Sequence, residues 1–298
     1  MKKWLKRGGL ALGAVLLLVA VAVIVGLQLG ERRQARKVEV PVQAVAAKTD
    51  AAGLARGQYL FASRGCVDCH GANGAGRMFV DEGDGLRIRG PNITTGPGGV
   101  VAAYQPQDWV RTIRHGVNPA GRALMVMPSE DYNRFTDDDL ASLVGYVRSL
   151  PPVAGEPALV VLPLPARVLY GFGAIDDAAS KIDHSLPPAQ PVAEGVTLQH
   201  GAYVANMCLG CHGAQLTGGR IPGGPPDWPP AANLRPGADS AMVRYAQPEA
   251  FMQMSKTGKR PDGSAVQVMP FESLKTMNET DMRALHLYLR SLPAVAKN

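Results

Sequence analysis

The sequence predicts an all-α protein in which one small helical domain occurs twice behind a single N-terminal transmembrane helix. Three observations lead to this fold class: an apolar run near the start, a repeat that relates the two halves, and apolar residues at helical spacing. A chain of 298 residues is long enough for two compact units. We place an anchor at 1–37, a linker at 38–51, domain 1 at 52–152, a Pro-rich apolar segment at 153–194 and domain 2 at 195–298.

The apolar run extends from Leu10 to Leu29 and contains one polar residue, Gln28. As a helix, about 20 residues cross the ~30 Å hydrocarbon core of a bilayer. A cleaved signal peptide is the competing interpretation, but its apolar stretch is about 7–15 residues long and ends at a small-residue cleavage site. Here the run is longer and the basic stretch at 31–37 follows it. We therefore favour an uncleaved membrane anchor.

Net charge separates the anchor from the rest of the chain. The formal charge is +6, but residues 1–37 hold eight Lys or Arg and one Glu, which leaves 23 basic and 24 acidic residues beyond Lys37. The remainder is close to neutral and has no basic patch interleaved with aromatic residues. This distribution excludes nucleic acid as a partner.

The four cysteines form two short motifs, CVDCH at 66–70 and CLGCH at 208–212. Both match the C-x-x-C-H pattern of c-type haem attachment. Two thiols three positions apart reach the two vinyl groups of one haem, and the next residue, His, then lies under the iron. The sequence therefore predicts two covalently bound haem c groups. The residues that hold them are Cys66, Cys69 and His70 in the first motif and Cys208, Cys211 and His212 in the second.

Paired cysteines also occur in zinc sites, in thioredoxin-like redox motifs and in disulfide frameworks. A zinc site needs two such pairs close together, and a thioredoxin-like redox pair needs a βαβ context without a following His. A disulfide framework does not require His twice. Covalent haem attachment takes place on the outer side of the bacterial cytoplasmic membrane. Because basic residues flank the apolar run on both sides, this chemistry rather than charge predicts a single-pass protein with its haem domains on the periplasmic side.

An internal repeat relates the two motifs. Cys66 corresponds to Cys208, 142 residues later, and the same offset relates other positions along both halves. A period this long indicates a tandem domain duplication rather than a solenoid or propeller. Further matched positions are Trp109 with Phe251, Gly116 with Gly258, Gly121 with Gly263, and the Tyr-x-Arg-Ser-Leu-Pro stretches at 146–151 and 288–293.

Each copy is predicted to end in an amphipathic helix. A Thr or Asn cap with Asp three residues later starts it, a variant of the capping box, and Pro stops it. Between these signals, apolar residues recur at helical spacing. The caps are Thr136 with Asp139 and Asn278 with Asp281, and the stops are Pro151 and Pro293.

The repeat also predicts a second axial ligand for each iron. Among the eleven methionines, Met127 and Met269 coincide at the 142-residue offset, and each is followed by Pro. Methionine is the partner of His in cytochromes c. Met125 corresponds to Gln267, so it is the weaker candidate. His115 is kept as the alternative ligand in domain 1.

On these motifs the chain resembles the class I cytochrome c family. It is most similar to tandem, membrane-anchored members such as the cytochrome subunits of quinoprotein and flavoprotein alcohol or sugar-acid dehydrogenases. The likeness spans residues 52–152 and 195–298 and rests on C-x-x-C-H, Met-Pro, the closing helix, GPNIT from Gly90 and a fainter ANLRP from Ala232. Those subunits usually carry three haem motifs, and this chain has two.

The resemblance implies two tandem class I cytochrome c domains and a hydrogen bond behind each haem-binding His. In the family, the carbonyl of the residue before a loop Asn accepts this bond from the axial His, which fixes its ring. Carried over, the carbonyl of Pro91, before Asn92, would serve His70. The carbonyl of Ala232, before Asn233, would serve His212.

The segment at 153–194 is Pro-rich and apolar. Flexible linkers are rich in Gly and Ser, whereas Pro-rich segments hold a spacing. We expect it to pack over the interface between the domains and to keep the two haems close enough for internal electron transfer.

These features predict a one-electron relay rather than an enzyme. The expected partners are redox proteins, such as a membrane dehydrogenase, an oxidase or another respiratory or photosynthetic complex, and the membrane itself. No small-molecule substrate is expected, because His and Met would fill both axial positions. The alternative is a dihaem enzyme of the peroxidase or thiosulfate-dehydrogenase type, whose working haem needs an open site.

Overall fold

A computed structural model of the chain describes residues 2–222, 224–225 and 227–294. The structure is mostly helical, with two cytochrome-sized helical domains behind one long N-terminal helix. This agrees with the predicted fold class.

Helix α1 covers Lys2–Ala35 and contains the predicted membrane span. Within the described residues it is the one helix that is long and apolar enough to cross a bilayer. Its apolar side chains, such as Leu16 and Ile24, are mostly exposed over the first two thirds of the helix. Near its C-terminal end, Gly26 and Gly30 are buried against another part of the chain.

Domain 1 is built around a core formed by its first and last long helices. Asp50 caps the first of them by accepting a hydrogen bond from the N–H of Gly53 at 2.9 Å. Thr136 caps the last by accepting from the N–H of Asp139 at 3.0 Å, as the sequence predicted. The helices are α2 (Ala51–Ser63), α3 (Cys66–His70), α4 (Pro106–His115), α5 (Ser129–Tyr132) and α6 (Asp137–Ser149).

Domain 2 repeats this order. Asn278 caps its last helix by accepting from the N–H of Asp281 at 2.8 Å, again as predicted. Short 3₁₀ helices at Ala205–Cys208 and Ala241–Arg244 complete the domain. The helices are α8 (Leu198–Val204), α9 (Leu209–His212), α10 (Pro248–Thr257), α11 (Phe271–Leu274) and α12 (Glu279–Ser291).

Glycine allows the first and last helices of each domain to touch. A methyl group on Gly57 of α2 would lie 2.0 Å from the carbonyl oxygen of Ser142 in α6. A methyl group on Gly201 of α8 would lie 2.0 Å from the carbonyl oxygen of Ala284 in α12. The same crossing therefore forms the frame of both domains, and it positions the haem motif that follows α2 or α8.

Gly57→Ala should therefore lower the free energy of unfolding by about 1–3 kcal/mol, the usual cost of forcing an extra carbon into a packed core. The measurement is denaturant unfolding of the haem-loaded protein in detergent. Gly195→Ala is the matched control, because the nearest atom to its new methyl group would be 3.8 Å away. Equal stability of the two variants would contradict the proposed role of the crossing.

A small antiparallel sheet was not foreseen by the sequence analysis. Strands β1 (Arg77–Asp81) and β2 (Arg87–Gly90) lie in the loop after the first haem motif, and β3 (Leu159–Val161) comes from the connecting segment. The order is β1, β2, β3. The strands are too short for a period-2 pattern to stand out from the Gly-rich and Pro-rich loops around them.

The connecting segment contacts the long N-terminal helix and both domains. Helix α7 (Leu164–Gly171) packs against α1, and the backbone of Ala178 donates to the carbonyl of Leu124 in domain 1 at 2.8 Å. At its end, Glu194 lies 3.2 Å from the amide nitrogen of Asn278 in domain 2 and so reaches the domain interface. Apolar residues of the segment contact the anchor helix α1. Hydropathy alone does not distinguish such a contact from one with a domain interface.

Candidate haem sites and the interface between them

The first haem motif forms a single helical turn, α3, with its histidine at the end. Gly65 before the turn and Gly71 after it both have positive φ, 89° and 71°, which confines the turn to the motif. The Nδ1–H of His70 donates to the carbonyl oxygen of Pro91 at 2.9 Å. The lone pair on Nε2 is therefore the one left for a metal.

The second motif has the same geometry. The Nδ1–H of His212 donates to the carbonyl oxygen of Ala232 at 2.8 Å. Burial lowers the pKa of both His70 and His212, although the hydrogen bond to the carbonyl acts in the opposite direction. Burial thus favours the neutral imidazole, which is the form that binds iron.

Asn92 holds the loop that presents the Pro91 carbonyl. Its side chain is fully buried, donates to the carbonyl oxygens of Val153 and Pro97 at 2.8 and 3.2 Å, and accepts from Thr94. In domain 2, Asn233 makes fewer contacts, accepting from the backbone of Arg235 at 2.9 Å. The weaker sequence match of the second copy therefore corresponds to a less extensive hydrogen-bond network around its Asn.

The four cysteines form no disulfide with one another. Burial is the main cause that raises the pKa of Cys66 and Cys208 to about 12 and that of Cys69 and Cys211 to about 11. Zinc ligands and catalytic nucleophiles are thiolates. In the described residues, no group of three or more His, Cys, Asp or Glu side chains is placed to hold a metal ion. The thiols suit covalent attachment to haem better than a zinc site.

Met127 and Met269 occupy equivalent places beside the two motifs. Met127 packs against the core of domain 1 together with Cys66, and Met269 packs against the core of domain 2 together with Cys208. The following prolines have nearly the same backbone angles, φ −79° and ψ 63° for Pro128 and φ −77° and ψ 67° in the second copy. Each motif therefore shares one hydrophobic core with the methionine predicted to be its ligand.

The other candidate ligands lie in different surroundings. Met125 lines a cleft with Gln34 of α1 and Arg167 of α7, away from the core that holds Met127. His115 is buried at the end of α4, with its Nδ1 3.1 Å from Nδ1 of His184. Burial, and then the neighbouring His184, lowers the pKa of His115 to about 4, which disfavours its charged form.

Two tyrosines link the domains in a reciprocal way. The hydroxyl of Tyr59 in α2 donates to Asp281 of α12 at 2.6 Å, and the hydroxyl of Tyr203 in α8 donates to Asp139 of α6 at 2.7 Å. Each hydroxyl also accepts from the backbone N–H of the residue that caps that helix, at 3.2 and 3.3 Å. Each domain thus completes the capped helix start of the other.

One of these two contacts is reinforced by a buried ion pair. The guanidinium of Arg64, 2 % exposed, is hydrogen bonded to Asp281, which is fully buried. Nε2–H of His200 donates to the same carboxylate at 2.6 Å. Burial opposes ionisation, but Arg64 and the hydrogen bonds outweigh it and lower the pKa of Asp281 to about 2. The counterpart Asp139 pairs instead with Arg56, which is a quarter exposed.

The segment after each methionine touches the haem motif of the other domain. Ser273 accepts from the N–H of Gly65 at 3.1 Å and donates to the carboxylate of Asp68 inside the first motif. Asp131 accepts from the N–H of Gly210 inside the second motif at 2.7 Å. In the first contact the carboxylate belongs to the haem motif, as Asp68. In the second it belongs to the opposing segment, as Asp131. The two candidate haem sites therefore abut across the interface.

The sequence analysis predicted an interface between the domains but none of these contacts. Their usable signal is that both copies place a Tyr two residues after the crossing glycine, Tyr59 and Tyr203, and an Asp at the third position of the last helix. The carboxylate lies in the haem motif at one contact and in the opposing segment at the other. A single sequence without homologues does not reveal this difference. Helical caps were a sufficient explanation of Asp139 and Asp281.

These features define the class of the protein: two copies of a haem-attachment domain, each with a covalent motif, an oriented His and an adjacent Met. Comparisons with known families agree. Residues 52–147 match the family model described as cytochrome c oxidase, cbb3-type, subunit III, and residues 199–293 match the cytochrome c model. The chain therefore consists of two cytochrome c domains behind an N-terminal helix, and it binds two haem c groups covalently.

The chain is similar to several characterised cytochrome subunits. It is 27% identical over 282 residues to the fructose dehydrogenase cytochrome subunit of Gluconobacter japonicus, covering 87% of this chain and 56% of that protein. It is 33% identical over 278 residues to the cytochrome c subunit of a quinone alcohol dehydrogenase of Gluconacetobacter polyoxogenes, covering 83% and 57%. The chain spans a little more than half the length of these relatives.

A shorter relative matches over most of its length. It is a diheme cytochrome c-type protein of Cereibacter sphaeroides, 24% identical over 267 residues, with 80% of this chain and 86% of that protein covered. The number of haem motifs in the present chain, two, is the number that this relative's name gives.

Proposed function

We propose that the chain is the electron-transfer subunit of a membrane dehydrogenase and relays single electrons from that enzyme to a further redox partner. Covalently bound haem supplies reversible one-electron iron chemistry. The names of the dehydrogenase relatives support this partner class. The chain's own residues provide the ligands, exclude water and fix the orientation of the two sites.

The observation that carries this proposal is that both sites are built alike and touch each other. Each combines a His whose Nδ1 is held by a carbonyl with a Met on the same core. We assign His70 with Met127 and His212 with Met269 as axial pairs, which leaves no open position for a substrate. The contacts of Ser273 with the first motif support direct passage between the sites.

The same observation disfavours the dihaem enzyme as a second candidate. A peroxidase-type site needs one iron with an exchangeable position, and the two copies would then differ around the methionine. Met127 and Met269 instead lie in equivalent surroundings.

For the location, we propose that α1 stays in the mature protein and that both haem domains lie on the outer side of the cytoplasmic membrane. The length and hydropathy of α1 support an anchor. The two haem-attachment motifs support the outer side, where such motifs are processed. Domain boundaries at 52–152 and 195–298 remain our assignment from the repeat.

Extraction in mild detergent tests the proposed partner. From native membranes, the tagged full chain should co-purify with a dehydrogenase subunit, and the substrate of that enzyme should reduce both haems of the complex. The same substrate should leave the isolated chain oxidised, because a relay depends on the dehydrogenase to oxidise the substrate. Reduction and turnover by the isolated chain would contradict the proposal.

A further inference from the structure

The connecting helix α7 lies beside the outer end of the membrane anchor. A methyl group on Gly26 of α1 would lie 2.8 Å from Cγ1 of Val168 and 2.9 Å from Cε2 of Phe172. A methyl group on Gly171 would lie 1.8 Å from the carbonyl oxygen of Gly26. Small residues let two helices approach this closely inside membranes.

The level of this contact can be read from the anchor. The apolar run ends at Leu29, and Gly26 precedes that end by three residues. At 1.5 Å per residue, the contact lies about 4.5 Å inside the apolar span. Val168 and Phe172 touch Gly26 and therefore lie at the depth of hydrocarbon.

The outward side of α7 is apolar and uncovered. Leu164, Leu169 and Phe172 are 51%, 47% and 52% exposed, and Val160 and Val161 of β3 are each 37% exposed. An apolar surface of this kind, rimmed by basic residues, is typical of a segment that lies in a membrane interface. It continues the lipid-facing surface of α1.

Ion pairs hold α7 in this place. Arg33 of α1 donates to the carbonyl oxygen of Tyr170 at 2.6 Å and pairs with Asp176. Arg36 pairs with Asp177, which also accepts from the hydroxyl of Tyr170 at 3.0 Å. Basic residues after the span are therefore used to clamp the connecting segment to the anchor.

A cleft of about 540 Å³ lies next to this clamp. Its polar lining includes Gln34, Asn118, Arg122 and Arg167, and its apolar lining includes Val160. Within the described residues, neither arginine forms an ion pair with an acidic side chain. Two exposed guanidinium groups in a cleft that is also lined by apolar side chains, beside the end of a membrane helix, suit an anionic phospholipid headgroup.

We propose that α7 and this cleft form a second membrane contact, in which α7 lies in the outer leaflet and the cleft binds the phosphate of an anionic phospholipid. The inference rests on the anchoring role proposed for α1 and is independent of the electron relay. Because Met125 also lines the cleft, domain 1 would be held with the loop between α4 and α5, which carries Met125 and Met127, at the membrane surface. Domain 2 would then face the aqueous side.

Depth measurements on the full chain in vesicles of phosphatidylcholine and phosphatidylglycerol test the position of α7. A nitroxide on Leu169→Cys should be relaxed by oxygen, which dissolves in lipid, more than by a water-soluble nickel chelate. Leu16→Cys, on α1, should behave the same way, and Val243→Cys, an exposed apolar site in domain 2, should show the reverse. Haem content verifies that each variant matures.

The three labels separate the possible failures. If residue 16 is in lipid but residue 169 is in water, α7 does not enter the membrane and the inference is wrong while the anchor stands. If residue 16 is also in water, the anchor itself is wrong. Protection of residue 169 from both reagents would assign the α7 surface to a protein contact and would equally overturn the inference.

Lipid retention tests the cleft. Native mass spectrometry of the full chain released from mixed-lipid nanodiscs should show bound phosphatidylglycerol. In the double variant Arg122→Gln with Arg167→Gln, the retained lipid should fall about fivefold for each arginine removed. Arg148→Gln with Arg244→Gln is the matched control, because both residues are exposed arginines elsewhere on the domains. Equal retention by the two double variants would overturn the headgroup site.

Discussion

Asp281→Asn should lower the free energy of unfolding by about 3–5 kcal/mol, because it leaves the buried guanidinium of Arg64 without a counter-charge. Both side chains are almost completely buried, and His200 and Tyr59 donate to the same carboxylate. Denaturant unfolding of the haem-loaded chain in detergent, followed by haem absorbance, measures the effect. The loss should appear together with loosening of the domain interface.

Asp139→Asn is the matched control for this change. Asp139 is the equivalent residue of domain 1, but its partner Arg56 is a quarter exposed and can be rehydrated. We expect a smaller loss, on the order of 1 kcal/mol. Similar losses in the two variants would contradict the special role of the Arg64 pair.

The pH dependence of stability follows from the same contact. The pKa of Asp281 falls from 3.8 to about 2 on folding. A depressed pKa stabilises the fold above about pH 4, and this contribution is lost as the pH falls towards 2. The wild type should therefore lose about 2–3 kcal/mol in this window. Asp281→Asn should lack that part of the acid transition.

Met127→His and Met269→His should each lower the reduction potential of one haem, because methionine ligation supports a higher potential than a second histidine. Axial ligands set haem potentials over ~0.8 V, so a fall on the order of 100 mV is expected for the affected haem. Redox titration followed by optical spectroscopy resolves the two potentials. Each variant should move one of them and leave the other nearly unchanged.

Met125→His is the control for the first of these variants. Met125 faces the cleft between α1 and α7 rather than the core beside the first motif, so both potentials should stay within a few tens of millivolts, small against the ~0.8 V range. If Met127→His moved neither potential while Met125→His or Met125→Ala disturbed a haem, the assigned register would be wrong.

The sequence was sufficient for the parts of the fold that depend on local chemistry. The two C-x-x-C-H motifs, the caps at Thr136 and Asn278 and the 142-residue repeat each rest on residues whose spacing has one strong explanation. The hydrogen bond from His70 to Pro91 follows from the family resemblance, and the structure contains it. The axial methionines remain predictions that their equivalent packing supports.

The parts that the sequence analysis missed depend on contacts between distant segments. Tyr59 and Asp281 are 222 residues apart, and each has an ordinary explanation within its own helix. The apolar connecting segment fits a domain interface and a membrane equally well by composition. Its contact with the anchor depends on the close approach of Gly26 in α1 to Val168 in α7, a pairing that composition does not encode.

With both haem sites closed by axial ligands, the chain should transfer electrons without substrate chemistry. Addition of carbon monoxide to the reduced, purified full chain at neutral pH tests this most directly, because carbon monoxide binds iron only where an axial position is open. With His70 and Met127 at one site and His212 and Met269 at the other, the spectrum should remain nearly unchanged. Rapid carbon monoxide binding at one haem, together with peroxide-dependent or thiosulfate-dependent turnover by the isolated chain, would contradict closed haem sites and favour a dihaem enzyme.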